Sequence, residues 1–529
     1  MLTETITCAR LTDDFESKHS NSDSFKTHHR NSQAKYVSDS TSVITVFEHQ
    51  RLTVNDFTQV ADFDWLLTQE FTVFSLKRRN GQWQLKVGHY IGIIVLPSGM
   101  TLEILPKNLA DSQTNNDSDK SHNIAITRLW VQQMLGDLFH KDCNRQPHYK
   151  TLDQLSSDVD ALTALPMQTL PISEWLTTQF MRLIALYKPM QGYQTVTQNS
   201  SSLQGKLLIK AQLRHNGAQP HKLVSEVSHL SQDTPSNRLI KSALVLLEPL
   251  LSQSLSAKPS NLAPSLSAKY LPAWRAVSAF STHELRQLNA LYKSAKTQLN
   301  IQQLMRSQLH IAQQLLDWAY WLLYRQQASL QTGSSLKLSH KANDKAIAPN
   351  QPRLCMLFNM NQAFEQWASL RITTMFTQFN DGYQALYQAQ HSWLRDQWGQ
   401  NCLSIRPDLL IGQNTPRDDT GNNNSDNTNV LMYSHVIDIK WKALAQANAV
   451  SASDAYQLTS YAQAYQATQA WLVYPVTDHT RQPVALQQHR LTSRSEQTNH
   501  TQLWLIPFNV LTGTLNNWQS IHKSLTTKD

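Results

Sequence analysis

The sequence has few of the residues that mark secreted, membrane-spanning or zinc-ribbon proteins. Of 529 residues, only 4 are cysteines, and they form no C-x-x-C pair. This spacing argues against a zinc ribbon and a disulfide framework, and it predicts a reducing, cytoplasmic compartment. No apolar run reaches about 18 residues, so we expect no membrane span. Residues 1–40 are polar, without the apolar core of a secretory signal, and predict a disordered tail.

The sequence also has a low fraction of charged residues and lacks a phosphate-loop motif. Charged residues make up 16% of the chain, and the formal net charge is +8. This mild basic excess is compatible with a polyanionic partner but does not establish one. The sequence contains no G-x-x-x-x-G-K-[ST] phosphate loop: Ser200 and Leu207 occupy two of its required positions around Gly205-Lys206. We therefore do not expect this chain to bind or hydrolyse a nucleotide by itself.

The candidate catalytic carboxylates lie in two short apolar stretches. Ile405–Ile411 and Val436–Lys442 are β-prone, and each has a carboxylate set into it. The polar segment between them, Gly412–Tyr433, is typical of a loop. Loop closure costs little more for a long loop than for a short one. The two stretches therefore predict a hairpin that brings Asp408 and Asp438 together.

The residues around Asp438 fit a divalent cation. A carboxylate inside an apolar strand is costly to bury without a partner, and Mg²⁺ prefers hard oxygen ligands. In a strand, Asp438 and Lys440 share one face, and the carbonyl of Ile439 lies between them. We expect Asp408, Asp438 and Ile439 to bind Mg²⁺ or Mn²⁺, with Lys440 orienting or helping to deprotonate a water that attacks a phosphodiester. The alternative is a solvated strand face, because a lone Asp-x-Lys is common.

Two flanking segments predict helices beside this hairpin. Leu354–Phe376 has apolar residues at helical spacing, and Glu365 stands next to that stripe. Glu365 either adds an acid to the metal site or is an exposed helical residue. In the downstream segment, Gln457 and Tyr461 are four residues apart and share a helix face. Gln457 is a candidate to support the site, and Tyr461 and Lys442 are candidate contacts to DNA or a partner.

Further strands are predicted on both sides of the hairpin. Gln384–Leu394 precedes it, and Trp471–Pro475 follows the downstream helix, for which Ser453 is the predicted N-cap. A late strand, Leu503–Phe508, is expected at the sheet edge. The resulting order of helix, strand, hairpin, helix and strand predicts an α/β domain.

Nine short motifs together resemble the McrC family, the nuclease subunits of McrBC-type modification-dependent restriction systems. No single motif is specific, but the combination is, and it spans roughly residues 45–510 with gaps. The motifs are Val87–Gly92, Leu102–Lys107, Gly205–Ile209, Asp233–Arg238, Phe358–Glu365, Arg406–Leu410, Ile437–Lys442, Tyr456–Tyr461 and Val473–Pro475.

The resemblance implies an α+β, multidomain chain that ends in an α/β PD-(D/E)xK domain of the restriction endonuclease-like fold. Asp408, Asp438 and Lys440 match that nuclease pattern, and Glu365 matches the further acid that a preceding helix often supplies. The implied partner is a McrB-like AAA+ GTPase hexamer, which binds GTP and recognises double-stranded DNA carrying modified cytosine. The resemblance further implies that this chain docks through its amino-terminal region, stimulates GTP turnover and cuts DNA.

The amino-terminal region predicts a small antiparallel β unit over residues 41–107. Asn80-Gly81 predicts a tight turn. Lys77, Arg78 and Arg79, beside that turn, either contact a partner or phosphates or form a solvated hairpin tip. The predicted organisation is a tail over 1–40, a partner-binding β unit over 41–110, a mainly helical region over 120–330, a linker over 331–351 and the nuclease domain over 352–515.

The middle region predicts four helical segments and one strand. Its helices are predicted at Ile124–Phe139, Pro171–Tyr187, Asn237–Leu251 and His283–Arg325, and its strand at Gly205–Leu213.

Two alternative functions stay open. The chain can be a PD-(D/E)xK nuclease of a repair or other defence system, working with a different motor. It can also be a structural activator of an AAA+ ring whose nuclease site is vestigial. The intact set of Asp408, Asp438 and Lys440 argues against a vestigial site.

Overall fold

The computed structural model describes residues 36–37, 43–69, 71, 73–107, 117–142, 170–254, 269–302, 304–332, 354–379, 382–415, 430–444, 449–486 and 501–519. The chain divides into two units, Met1–Tyr36 and Val37–Asp529. The tail predicted over 1–40 lies outside the described residues apart from positions 36 and 37. The predicted linker, 331–351, also lies outside them, apart from two residues that end a helix.

Helices and strands both contribute to the fold, so the α+β prediction is confirmed. The strands are β1 Tyr36–Val37, β2 Val43–Phe47, β3 Arg51–Leu52, β4 Phe74–Arg79, β5 Gln82–Val87, β6 Tyr90–Val95, β7 Thr101–Leu105, β8 Gly192–Ser200, β9 Lys206–Leu207, β10 Leu223–Ser231, β11 Cys355–Asn359, β12 Tyr383–Tyr387, β13 His391–Arg395, β14 Asn401–Ile405, β15 Leu409–Thr415, β16 Val430–Ile439, β17 Gln469–Val476, β18 Val484–Leu486, β19 Gln502–Asn509 and β20 Thr514–Leu515. The helices are α1 Val60–Thr68, α2 Asp117–Asp142, α3 Ile172–Leu186, α4 Ile209–Asn216, α5 Pro235–Ser254, α6 Thr282–Leu285, α7 Leu288–Ile301, α8 Arg306–Thr332, α9 Met360–Phe379 and α10 Ala452–Tyr465. Within the described ranges, no helix is both long and apolar enough to cross a membrane.

The amino-terminal sheet is mixed, so the prediction of a purely antiparallel unit was wrong. β2 pairs with β7 in parallel, whereas β7 with β6 and β6 with β11 are antiparallel. A second sheet has the order β3-β5-β4, and helix α1 lies between β3 and β4 in the chain. Local turn signals reveal which neighbouring strands form hairpins, but they do not reveal a parallel pairing between distant segments.

The β4–β5 hairpin turns at Asn80-Gly81, as predicted. Both residues have positive φ angles, 50° and 78°. An added Cβ at Gly81 would meet no atom within 4 Å, so only the backbone conformation favours glycine there.

Gly81→Ala is expected to lower the free energy of unfolding by about 1–2 kcal/mol, because an L-residue is strained at positive φ. The matched control is Gly136→Ala in helix α2, where an added Cβ also meets no atom within 4 Å. A helical glycine costs roughly 0.5–1 kcal/mol relative to alanine, so this control should stabilise the protein. Thermal and urea unfolding midpoints measure both changes. Equal shifts of one sign would contradict the explanation.

Strand β11 was missed, because Cys355–Asn359 fell inside a predicted helix that in fact begins at Met360. A short apolar run fits a buried strand and a buried helix equally well. β11 pairs closely with β6: a Cβ on Gly92, whose φ is +134°, would lie 1.9 Å from the carbonyl oxygen of Met356. The first strand of the predicted 352–515 domain therefore completes the amino-terminal sheet. The domain boundaries themselves stay predictions.

The middle region contains the predicted helices together with a sheet that the sequence did not indicate. The four helical predictions correspond to α2, α3, α5 and α6–α8. The missed sheet has the order β8-β10-β9. Gly192–Ser200 is polar on both faces and gives no apolar alternation, so its pairing with β10 was not visible. The strand predicted at Gly205–Leu213 was wrong beyond β9, because α4 begins at Ile209.

The carboxyl-terminal sheet has the order β12-β15-β16-β17-β19-β18, with β20 beside β19. β16, β17 and β19 are parallel. Helix α9 packs on one face, where Phe376 contacts Trp471 with ring centroids 5.6 Å apart. Helix α10 packs on the other face, where Leu458 and Leu472 belong to one apolar cluster. The sheet is thus covered on both faces, and its central strands are buried.

Several local predictions in this sheet need correction. Gln384–Leu394 is two strands, β12 and β13, which pair with different partners. β19 lies inside the sheet, between β17 and β18, so Leu503–Phe508 does not close its edge. Strands β15 and β16 extend into the predicted loop Gly412–Tyr433, of which residues 416–429 lie outside the described part of the chain. Ser451, not Ser453, caps α10 by accepting from the N–H of Asp454.

Candidate active site

The β15–β16 pair brings Asp408 and Asp438 together. Leu409 lies opposite Ile437 in the antiparallel register, so the two acids are the next residues at this end of the pair. Asp408 is not inside a strand as predicted; it follows Pro407 and immediately precedes β15. Its Oδ2 accepts a hydrogen bond from the N–H of Ile439 at 2.7 Å. This bond fixes the Asp408 carboxylate beside the end of β16.

Asp438 and Lys440 form a close pair on one side of the strand end. The Asp438 side chain is 1% exposed, and the Lys440 Nζ lies 2.9 Å from each of its oxygens. Only Oδ1 accepts with hydrogen-bond geometry, and Oδ2 has no hydrogen-bond partner within the described structure. The N–H of Lys440 donates to the carbonyl of Val473 at 2.9 Å, which anchors the backbone to β17.

Glu365 reaches this region from helix α9 through a residue that the sequence did not single out. Gln388 donates from Nε2 to Glu365 Oε1 at 2.6 Å and accepts from the Arg406 guanidinium. Its own N–H donates to the carbonyl of Asp408 at 3.0 Å. Gln388 has a positive φ of 47° between β12 and β13, where a continuous strand was predicted. Nothing in the sequence pattern marks this position.

The contacts of Gln457, Tyr461 and Lys442 are with residues near the two acids. Gln457 donates to the Tyr461 hydroxyl at 2.6 Å, and that hydroxyl donates to the carbonyl of Arg406 at 3.2 Å. Gln457 therefore supports the segment that precedes Asp408. Lys442 pairs with Asp454 at 2.6 Å. Asp454 is a second residue that the sequence prediction missed.

Lys77, Arg78 and Arg79 lie on a different sheet from the acids. All three are exposed on β4, next to the Asn80-Gly81 turn. The Arg78 guanidinium lies over the half-exposed ring of Trp83, 5.5 Å from its centroid, and donates to the Gly81 carbonyl. They form a basic hairpin surface, and the structure does not bring them into the candidate active site.

Burial dominates the electrostatics of the two acids. Desolvation raises the pKa of Asp408 to about 7, and the charges of Asp438 and Glu365 add to the shift. Desolvation also raises the pKa of Asp438, although Lys440 opposes it. Burial by itself would lower the pKa of Lys440, but the Asp438 and Asp408 carboxylates outweigh it and the pKa is raised. Without a further cation, the site resists carrying both negative charges.

The raised pKa of Asp408 predicts that stability of the metal-free protein falls with pH. A carboxyl group whose pKa is higher in the folded state contributes stability that is complete below its unfolded pKa, near 3.8, and is lost as pH rises through about 7. Asp408→Asn should therefore flatten the loss of unfolding free energy between these values. Urea unfolding in a chelator at several pH values tests this. An unchanged slope would contradict it, and Asp64→Asn on the exposed side of α1 is the control.

A hard divalent cation fits the donor set at the end of β16. The available groups are carboxylate and carbonyl oxygens, which Mg²⁺ prefers. The Oδ2 of Asp438 is buried and makes no hydrogen bond within the described structure, and burial raises the pKa of both acids, so a further positive charge would stabilise the site. The ligand atoms of Glu365, Asp408 and Asp438 do not all lie within 4.8 Å of one another among the described residues. The Glu365 Oε1 instead accepts from the Gln388 Nε2.

A family profile covers most of the chain, including Glu365 and the residues around both acids. The profile is described as the McrBC 5-methylcytosine restriction system component, and it matches residues 85–475. The chain belongs to this McrBC family. The match confirms the resemblance that the short motifs indicated.

The solved structures that are similar to this McrBC-family chain include two that are described next, whereas no curated protein matches it. One is a refined half-complex from a tetradecameric assembly of Thermococcus gammatolerans McrB AAA+ hexamers with bound McrC. The match covers 92% of this chain and 99% of the solved chain at 14% identity, with a TM-score of 0.47. The other, a Thermococcus gammatolerans McrBC complex, covers 53% and 80% at 16% identity, with a TM-score of 0.27.

Proposed function

We propose that this McrBC-family chain is the DNA-cutting subunit of a GTP-dependent, modification-dependent restriction complex. The observation that carries the proposal is the Asp408, Asp438 and Lys440 cluster. Two carboxylates with raised pKa values share one strand end with an ammonium group 2.9 Å from the second acid. This arrangement supports the PD-(D/E)xK pattern and a nuclease domain over residues 352–515.

Asp408, Asp438 and the carbonyl of Ile439 would hold Mg²⁺, or Mn²⁺ in its place. The bound ion would polarise the phosphoryl oxygen and lower the pKa of a bound water. The Ile439 N–H already fixes the Asp408 carboxylate at 2.7 Å, so one acid is oriented before the ion binds. Glu365 acts indirectly. Its Oε1 accepts from the Gln388 side chain, and the backbone N–H of Gln388 donates to the Asp408 carbonyl.

Lys440 has two tasks in this mechanism. It orients the attacking water, and it stabilises negative charge that develops on the phosphoryl group. Its raised pKa keeps the ammonium charged at neutral pH, so it acts as a charge and hydrogen-bond donor rather than as a base. The backbone bond to Val473 holds the residue in place.

The proposed partner is a McrB-like AAA+ GTPase hexamer. Family membership supports a role in such a complex, and the chain has no phosphate-loop sequence of its own. GTP and recognition of modified cytosine in double-stranded DNA then belong to the partner. The basic β4–β5 hairpin, with Lys77, Arg78 and Arg79, and the outer residues Lys442 and Tyr461 stay candidate contacts to the partner or to DNA.

The proposal is tested by cleavage of methylated and unmethylated plasmid. The chain is combined with a McrB-like AAA+ GTPase, GTP and Mg²⁺, and each component is omitted in turn. Cutting that needs methylation, GTP and Mg²⁺ is the expected result. Cutting that is independent of methylation and GTP would favour a nuclease with another motor. No cutting by a complex that hydrolyses GTP would favour a structural activator.

A further inference from the structure

A second cluster of ligand-type side chains lies on the amino-terminal sheet. Glu48 and His49 follow β2, and His89 lies between β5 and β6. One ligand atom from each of the three residues lies within 4.8 Å of the other two. The His89 Nδ1 is 3.7 Å from the Glu48 Oε1, and the two imidazole rings meet edge to face with centroids 4.5 Å apart. His49 is held at a positive φ of 66° in this arrangement.

One oxygen of Glu48 in this cluster is buried without a donor. The Glu48 side chain is 0% exposed, and its Oε2 accepts from the N–H of Lys107 and the Nε1 of Trp441, each at 2.9 Å. Its Oε1, the atom that faces His89, has no hydrogen-bond partner in the described structure. An unsatisfied buried carboxylate oxygen is costly. The orphaned oxygen therefore points to a ligand with positive charge.

We propose that Glu48, His49 and His89 bind a divalent transition metal, with Zn²⁺ as the best match. Two imidazole nitrogens and one carboxylate oxygen are a common zinc ligand set, and the fourth position is left for water. The His89 side chain is 51% exposed, which leaves a path for the ion and for that water.

The ligand types favour a transition metal over oxygen-preferring ions. Two of the three ligand atoms are imidazole nitrogens, which suit Zn²⁺, whereas Mg²⁺ and Ca²⁺ bind mainly oxygen. Lys86 and Lys107 lie near His49 and oppose any cation, so the ion must bond strongly to imidazole.

The zinc site would join the amino-terminal sheet to both elements that carry the candidate active site. The carbonyl of His89 accepts from the N–H of Met360, the first residue of α9, which carries Glu365. The Glu48 carboxylate holds the indole of Trp441, the residue after Lys440. We expect the ion to act as a structural tie rather than to take part in DNA cutting.

Zinc and cobalt binding to the full-length chain test the proposal. Zn²⁺ affinity is measured by competition with a chromophoric chelator, and Co²⁺ is used for its visible absorption in a tetrahedral site. Wild type is compared with His89→Gln, His49→Gln and Glu48→Gln. Loss of a residue that hydrogen-bonds to a metal ligand lowers metal affinity by roughly 10- to 100-fold. Loss of a zinc ligand itself should lower the affinity by at least as much. The tetrahedral Co²⁺ spectrum and the zinc-induced rise in thermal unfolding temperature should be lost with it.

Two controls keep the result interpretable. His229→Gln changes an exposed histidine on β10 and should leave zinc affinity and the Co²⁺ spectrum unchanged. Asp438→Asn removes a proposed ligand of the active site and should also leave them unchanged. If the His89 and His49 variants fold and bind Zn²⁺ like wild type, or wild type shows no zinc-dependent change, the proposal is wrong and the cluster is only a Glu–His ion pair.

Discussion

Asp438→Asn should abolish DNA cutting while GTP turnover by the assembled complex stays at the wild-type level. The substitution keeps the shape of the side chain but removes the charge that the buried Oδ2 offers to a cation. We expect a loss of about 10³-fold or more in the cleavage rate, roughly 4 kcal/mol of activation free energy. Single-turnover cleavage of methylated DNA at saturating Mg²⁺ measures it.

The same variant should fold and assemble normally. The pKa of Asp438 is raised by burial, which outweighs the opposing effect of Lys440, so its negative charge has a net cost in the folded protein when no further cation is bound. Asp64→Asn, on the exposed side of α1, is the matched control and should cut like wild type. If Asp438→Asn lost assembly as well as cutting, the residue would be structural and its assignment as a metal ligand would be wrong.

Lys440→Met should lower the cleavage rate by about 10²–10³-fold, comparable to losing one preorganised donor to a developing negative charge. The methionine keeps the apolar stem but removes the ammonium that lies 2.9 Å from Asp438. Metal binding should survive, because both carboxylates remain. Cleavage rates and Mn²⁺ affinity, measured on the same preparations, separate these two effects.

Lys442→Met is the matched control for Lys440→Met. Lys442 is partly exposed and paired with Asp454, and exposed ion pairs contribute up to about 1 kcal/mol. Its loss should change the rate at saturating DNA by less than about fivefold. A weaker DNA affinity alone would identify Lys442 as a DNA contact. Equal losses of rate in both lysine variants would contradict a specific chemical role for Lys440.

The central part of the candidate site could be predicted because its pattern is local. Asp438 and Lys440 are two residues apart in an apolar strand, so strand geometry alone places them on one face. The prediction that Asp408 lies beside Asp438 required only that two neighbouring strands pair, and β15 and β16 do pair in the register that brings the two residues together. The strand ends were less accurate, since polar residues at 412–415 and 430–433 belong to the strands.

The support around the site could not be predicted because it depends on distant contacts. The Trp441–Glu48 hydrogen bond joins residues 393 positions apart, and no local signal encodes it. Gln388 is a polar residue in a turn whose role appears only when Glu365 and Arg406 lie on either side of it. The parallel pairing of β2 with β7 and the addition of β11 to that sheet are likewise long-range.

The most direct test of the nuclease assignment compares wild type with the double variant Asp408→Asn, Asp438→Asn in the complete complex. Plasmid cleavage and GTP hydrolysis are followed in the same reaction with methylated DNA and Mg²⁺. We expect both complexes to hydrolyse GTP at the same rate and only the wild-type complex to cut DNA. Cutting by the double variant at the wild-type rate would show that the two acids at the end of β16 do not form the catalytic metal site.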